Sequence, residues 1–416
     1  MKFSLTVTAL LLAFSTSLAS SQNNPLPETN DPVTIKRISG EIDFNGMPDE
    51  AAWDGTTSFS LIMYSPVFGK TPTEDTDIRI GYDNKYLYVG AKLYYGDASL
   101  IQSASFKRDY LGMGGDWFGF MLDTYNDKEN STAFFVSPDA LRFDASIQRD
   151  AMTRTPNDIP MNISFNTFWD VMTKRDSKGW YTEIRIPISS LRFQEVNNEV
   201  RMGLTIQRWI PAKNETDIYP AIPPNWGENS VLKPSQAKEV TFAGIKPNRP
   251  LYIAPYVLAG YNSKQSLNSG NTAYEKTDKP MAEAGIDIKY GVTPNLVLDL
   301  TANTDFAQVE SDDQQINLTR FSLYYPEKRL FFLERASVLD FNMSGNNNLF
   351  YSRRIGLSED GDPIRIYGGA RLTGRINKWD VGILDMQTAA LQKRNSSGFL
   401  EEVNPSENFG VMRLRR

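Results

Sequence analysis

The chain of 416 residues has a net charge of −6 from 44 basic and 50 acidic residues, with no basic block, and so lacks the electrostatic footprint of a nucleic-acid binder. It contains neither Cys nor His, which removes Ser-His-Asp triads, Cys nucleophiles, disulfides and His- or Cys-ligated zinc. Mean hydropathy is −0.41 and no apolar run after residue 20 approaches the roughly 18 residues of a membrane helix, whereas a transmembrane barrel stays open because its strands alternate.

Met1-Lys2, an apolar run over residues 5–14 and the small residues of Ser17-Leu18-Ala19 have the layout of a secretory signal, so residues 1–20 are read as a signal peptide. No Cys follows the run, which excludes a lipoprotein anchor. Residues 21–32, polar and Pro-containing, are expected to be a linker. From Val33 the texture becomes β. Ile78-Arg79-Ile80-Gly81-Tyr82 alternates, Asp83-Asn84-Lys85 turns, and residues 86–94 return. Further strands are expected at residues 116–122, 179–187 and 202–209, and short strands between turn signals argue for a β-sandwich over residues 33–246. Pro-rich text at residues 220–224 and 246–250 closes it.

After Pro250 the strands lengthen. Residues 281–290 put Ala282, Ala284, Ile286, Ile288 and Tyr290 on one face against Glu283, Asp287 and Lys289 on the other. Leu296, Leu298, Leu300 and Ala302 oppose Asn295, Asp299, Thr301 and Asn303, and residues 364–374 repeat the pattern. Strands of about ten residues, apolar outward and charged inward, predict part of an antiparallel transmembrane β-barrel over residues 247–416. A soluble sheet with one solvated face gives the same alternation; the secretory signal, the tight turn at residues 291–294 and the Tyr at the strand end favour the membrane. Only five or six such strands are visible, fewer than the eight or so that closure needs, so the chain is expected to be a C-terminally truncated fragment.

Gly40-Glu41-Ile42-Asp43-Phe44-Asn45-Gly46-Met47-Pro48-Asp49-Glu50-Ala51-Ala52-Trp53 resembles the opening of family 9 carbohydrate-binding modules. Tyr82-Asp83-Asn84-Lys85-Tyr86-Leu87-Tyr88-Val89, residues 116–123, and Gly179-Trp180 through Glu183 to Ile186-Pro187 resemble their later motifs, in the same order. The second half resembles a Bacteroidetes-type outer-membrane family known by the domain-of-unknown-function label 5916, through residues 303–310, 317–321, 325–334 and 349–356. That resemblance implies a family-9-like module joined to an outer-membrane barrel.

The first resemblance implies a terminal sugar held between two Trp rings, with polar side chains on its hydroxyls. Gln207 matches a family sugar contact and Trp226 the second stacking ring with Asn225 beside it; the first aromatic, expected shortly before residue 116, is met by Met113, with Trp117 close by. The acid expected in the strand of residues 116–122 is Gly119, and the Arg expected in the next strand is Phe135. Trp53 and Trp180 are expected in the core. No cofactor is implied; the one metal the donor chemistry leaves open is Ca²⁺ at residues 123–130, where the spacing departs from an EF-hand and a solvated hairpin turn is expected. Glu310, Asp312, Asp313, Glu327 and Glu334 sit among Arg320, Lys328, Arg329, Arg335, Arg353 and Arg354, and such mixed charge is expected to form salt-bridge networks in a lumen or plug.

The leading expectation is thus a non-catalytic, carbohydrate-binding outer-membrane protein, with oligosaccharide or polysaccharide and outer-membrane lipid as partners and no nucleic acid. Its N-terminal domain is expected in the periplasm, because an even strand number returns both barrel ends to the side of the short turns. A glycoside hydrolase acting through paired carboxylates is one alternative. A structural plug or docking domain without a sugar ligand is the other.

Overall fold

The computed structural model describes residues 31–105, 107–110, 114–153, 160–163, 165–227, 229–246, 251–267, 272–293, 296–304, 327, 329–333, 336–339, 341, 349–358, 364–376, 379–394 and 399–416. The signal peptide and most of the linker lie outside them. From Pro32 to Arg416 the chain packs as one unit. Its strands in order are β1 (Val33–Thr34), β2 (Lys36–Arg37), β3 (Thr57–Phe59), β4 (Ile62–Ser65), β5 (Thr76–Tyr82), β6 (Tyr86–Tyr94), β7 (Trp117–Asp123), β8 (Ser131–Val136), β9 (Arg142–Ile147), β10 (Met161–Asn162), β11 (Asp170–Asp176), β12 (Gly179–Pro187), β13 (Glu195–Val196), β14 (Glu199–Ile210), β15 (Glu215–Tyr219) and β16 (Lys238–Ala243). There follow β17 (Leu251–Leu267), β18 (Tyr274–Thr293), β19 (Leu296–Ala302), β20 (Ile366–Ile376), β21 (Trp379–Thr388), β22 (Leu391–Arg394), β23 (Leu400–Asn404) and β24 (Asn408–Arg415).

The first sixteen strands make two sheets. One runs β1-β16-β14-β7-β8-β9-β10, with β13 and β15 also on β14 and β4 on β15; the other runs β11-β12-β6-β5-β2, with β3 on β5. Alternation puts Phe118, Phe120 and Leu122 of β7 and Val200, Met202, Leu204 and Ile206 of β14 against Ile78, Ile80, Val89, Ile184 and Ile186 of the second sheet, and Trp180 is fully buried among them. This two-layer sandwich is the expected one.

Two polar ties cross its core. The Tyr82 hydroxyl of β5 donates to the Ala243 carbonyl (2.8 Å) and accepts that residue's N–H (3.0 Å), joining the second sheet to the first. Arg208 of β14, 1% exposed, donates to the carbonyls of Asp75 (2.9 Å) and Tyr94 (2.7 Å) and to Thr76 Oγ1 (2.7 Å). Burial pulls its guanidinium down to about 10, against the pull of Asp217, Asp116 and Glu74.

The third sheet runs β17-β18-β19-β20-β21-β24, every pair antiparallel, with β22-β23 as a separate hairpin. Among the described residues β17 and β24 do not pair with each other. At 17 and 20 residues, β17 and β18 exceed the expected length of about ten.

The faces of this sheet are inverted relative to a soluble one. Leu251, Ile253, Val257 and Tyr261 of β17, Tyr290 of β18, Leu300 of β19, Ile383 of β21 and Met412 and Leu414 of β24 are exposed, Val257 at 83%. Asp299, Thr301, Arg371, Thr373 and Asp380 on the opposite face are buried, Arg371 at 1%. A soluble sheet keeps its charges wet and its apolar face covered. Here Arg371 pairs with Asp299 (2.8 Å), Arg375 and Arg415 both pair with Asp380 (2.9 and 2.8 Å), and Phe331, Phe332, Val338 and Leu339 from the β19–β20 connection cover the charged side.

Candidate functional site

Four of the expected ligand residues gather on and above the outward face of the first sheet. Alternation that sends Phe118 and Phe120 inward sends Trp117 and Met121 outward. With Phe135, Phe143, Ala145 and Ile147 these form a second apolar cluster, packed by Met161, Trp209 and Leu232. All seven residues of β7 are consequently buried, and Trp117 lies opposite Trp209 within the cluster. Gly119 faces Phe135 across the β7–β8 pair, and a Cβ at 119 would come within 2.3 Å of the Phe135 ring. The departures at Gly119 and Phe135 are therefore one event: an aromatic ring fills the space of the expected acid, and an apolar contact stands where an Arg and a carboxylate would.

Gln207 of β14, paired with Gly119, shares this face, and its amide Nε2 donates to the Val231 carbonyl at 2.9 Å. That bond holds down three 3₁₀ turns, Pro224–Trp226, Ser230–Leu232 and Pro234–Gln236, two of which start on a proline. Ser230 Oγ donates to the Gly227 carbonyl (2.5 Å), and Lys233 Nζ reaches the Asp150 carbonyl (3.0 Å). Asn225 and Trp226 ride on the first turn, both exposed, Trp226 at 53%. Thus Trp117 and Gln207 lie beneath the segment, and Asn225 and Trp226 face outward on top of it.

Trp53 and Trp180 are core residues as expected, and Trp53 has a second task that sequence reading missed. Its indole N–H donates to Glu183 Oε1 (3.3 Å), while Glu183 Oε2 accepts the backbone N–H of Asn45 and of Gly46, each at 2.8 Å. The opening motif and the Gly179-Trp180-Tyr181-Thr182-Glu183 strand, more than 120 residues apart in sequence, meet on this one carboxylate. Gly46 has φ +92°, and a Cβ there would meet the Thr173 backbone at 2.8 Å, so only glycine lets the loop lie on β11. Burial pushes the Glu183 carboxyl above its ordinary range, against the three N–H groups that favour its anion.

The acidic turn of residues 123–130 closes on itself. Asp123 accepts the N–H groups of Asp127 (3.1 Å) and Lys128 (2.8 Å), and Asp127 accepts those of Glu129 (2.9 Å) and Asn130 (2.8 Å). Among the described residues no group of three acidic side chains gathers to hold a cation. Of the expected charge cluster, Glu310, Asp312, Asp313, Arg320, Lys328, Glu334 and Arg335 lie outside the described residues. Glu327 is a structural partner: it pairs with the buried Arg329 (2.9 Å) and accepts from Ser352 Oγ (2.6 Å), while Arg329 also donates to the carbonyls of Ser352 and Ile355. A second acidic group sits in the sandwich, where Asp217 is fully buried beside Glu215 and burial pushes its carboxyl up to about 8.

The sandwich touches the third sheet at one end. Arg415 pairs with Glu129 (2.5 Å), Tyr252 Oη donates to the Ser189 carbonyl (3.3 Å), and Tyr252 stacks near Phe168. At that end β18 and β19, and likewise β20 and β21, are separated by only two residues; the longer connections start from the strand ends on the other side. Tyr290 and Trp379 stand on the exposed face near the sandwich, Tyr261 and Tyr274 towards the far end.

Residues 247–367 match the family described as Domain of unknown function (DUF5916). No curated protein matches the chain. Among solved structures it is similar to a carbohydrate binding module family 9 (CBM9) from Caldicellulosiruptor kristjanssonii in complex with glucose, at 18% identity and TM-score 0.36, over 52% of this chain and 98% of that one. The same module in complex with cellotriose aligns at 18% identity and TM-score 0.35, over 53% and 100%. A protein from Bacteroides uniformis ATCC 8492, provisionally described as carbohydrate-binding, aligns at 9% identity and TM-score 0.38, over 51% and 98%.

Proposed function

We propose that this chain is a non-catalytic glycan-binding protein of the bacterial outer membrane, held in lipid by its third sheet and carrying its sandwich at the periplasmic end. The observation that carries the membrane part is the inversion of that sheet. Water on the Val257 face and a buried Arg371-Asp299 pair on the other is the reverse of what water favours, and is what lipid outside and a polar interior favour. Exposed Tyr and Trp near both ends of the apolar face match the interfacial aromatics of such walls. The short connections at the sandwich end support a periplasmic sandwich, since barrels turn tightly on that side.

The glycan part rests on Trp226. An exposed indole on an anchored turn, beside an amide, offers a flat apolar face to a pyranose and hydrogen bonds to its hydroxyls. In this reading Gln207 acts from below, through Val231, to hold the turn, and Trp117 supports the floor under it. The docking reading has one observation in its favour: the outward face of the first sheet is already filled by Phe135 and its neighbours.

Two measurements test the pair of claims. Full-length chain should float with lipid vesicles; recovery in the soluble fraction alone would refute the membrane part. In detergent, titration with glucose and cellotriose should give binding that Trp226→Ala weakens by about 1–3 kcal/mol while leaving the fold intact. Binding that ignores Trp226→Ala would remove the site, and the absence of binding to any glycan would favour the docking reading.

A further inference from the structure

We infer that the groove between β9 and β11, on the side of the sandwich away from Trp226's turn, is a second ligand site and takes a carboxylate-bearing sugar. The groove is open to solvent, offers about 400 Å³, and is lined by Phe44, Arg142, Asp170, Val171, Met172 and Arg185. β11 is the end strand of its sheet, paired only with β12, so nothing in the sheet covers this side.

The two arginines are anchored without being used up. Arg185 Nε donates to Asp170 Oδ2 (2.9 Å), directly across the β11–β12 pair, and its guanidinium lies 4.4 Å from the Phe44 ring centroid and 5.2 Å from that of Tyr86. Arg142 Nη1 donates to the Trp169 carbonyl (2.6 Å). A guanidinium has five N–H donors, and among the described residues the remaining donors of both groups meet no acceptor. Two oriented forks beside one carboxylate leave the groove a net positive charge, and such forks match carboxylate geometry. Phe44, Val171 and the half-exposed Met172 add an apolar wall for the C–H face of a pyranose, and Asp170 keeps an oxygen for a hydroxyl. A hexuronate residue of a polysaccharide meets all three features together.

The site is independent of Trp226, which gives the experiment its control. Full-length protein in detergent is titrated calorimetrically with trigalacturonate, cellotriose and a triglutamate peptide. Trigalacturonate should bind, weaken with added salt, and exceed both other probes by about tenfold or more. Arg142→Gln should reduce its affinity by at least about tenfold, and Met172→Glu, a change at an exposed side chain, should do the same by repulsion. Trp226→Ala should leave it unchanged. Equal binding of the two trisaccharides by Trp226→Ala, no binding of trigalacturonate, equal binding of the peptide, or loss of trigalacturonate binding in Trp226→Ala would each overturn the assignment. Should Arg142→Gln fail to fold, Met172→Glu decides alone: unchanged binding there refutes the site.

Discussion

An arginine placed at increasing depth on the exposed face of β17 separates lipid from water by its energy. The apolar series Leu251, Ile253, Pro255, Val257, Ala259 and Tyr261 pairs with Tyr290, Ile288, Ile286, Ala284, Ala282 and Pro280. Its ten residue steps span about 34 Å of strand, or about 24 Å along the normal at a 45° tilt, close to the roughly 25 Å apolar band of a barrel wall. Val257 then lies near the middle and Leu251 and Tyr261 near the rims. In water, replacing a side chain that is 83% exposed changes stability by no more than about 0.5 kcal/mol wherever it sits on this face. In lipid, Val257→Arg should cost about 2–4 kcal/mol and the rim changes about 0–1 kcal/mol. Quantitative vesicle flotation reads this directly: Val257→Arg should lower the partition coefficient by about 30- to 800-fold, and Leu251→Arg and Tyr261→Arg by a few-fold at most. Three variants with the same small effect would refute the depth argument and the lipid-facing assignment with it.

Glu183→Gln should destabilise the sandwich by about 2–3 kcal/mol in denaturant unfolding, because one oxygen that accepts N–H groups from the opening motif becomes an NH₂ group facing donors; an effect within error would mean the carboxylate is not what joins the two motifs. The Asp217 carboxyl, pushed up to about 8 by burial first and Glu215 second, holds its proton in the folded state. Its stabilising contribution is complete below its unfolded value near 4 and is lost as pH rises through about 8, at up to about 1.4 kcal/mol per pH unit. Melting at pH 5 and pH 8 should therefore show a smaller loss in Asp217→Asn than in wild type, and an equal loss would contradict the protonated state. Residues 33–246 expressed alone should melt cooperatively by circular dichroism, since the core cluster around Trp180 is built from that segment; a gradual, featureless melt would place part of the fold's support in the third sheet.

Several strands of the sandwich and two of its core residues were legible in sequence, because period-2 alternation between turn residues is a local signal: residues 78–94 read directly as a hairpin, and Trp53 and Trp180 as core, whereas the order of the strands in the two sheets was not. The alternation of residues 281–302 was equally legible, but which face meets solvent is set by what packs on it, and only the folded chain puts Phe331, Phe332, Val338 and Leu339 over the charged side. The expected ligand residues divide in the same way. Sequence supplied Trp117, Gln207, Asn225 and Trp226 as residue types in order. Tertiary packing decided that Trp117 is buried against Trp209, that Gln207 spends its amide on Val231, and that Trp226 stays outside. Glu183 was legible only as a residue of a resembling strand motif, and neither its role nor the Phe44, Arg142 and Arg185 groove carried a sequence signal, since each is assembled from segments separated by tens to more than a hundred residues and a lone charged residue on a strand reads as a solvated face. Local alternation thus determined where the strands are, whereas long-range contacts, which no window of sequence contains, decided which of their side chains are left to meet a ligand.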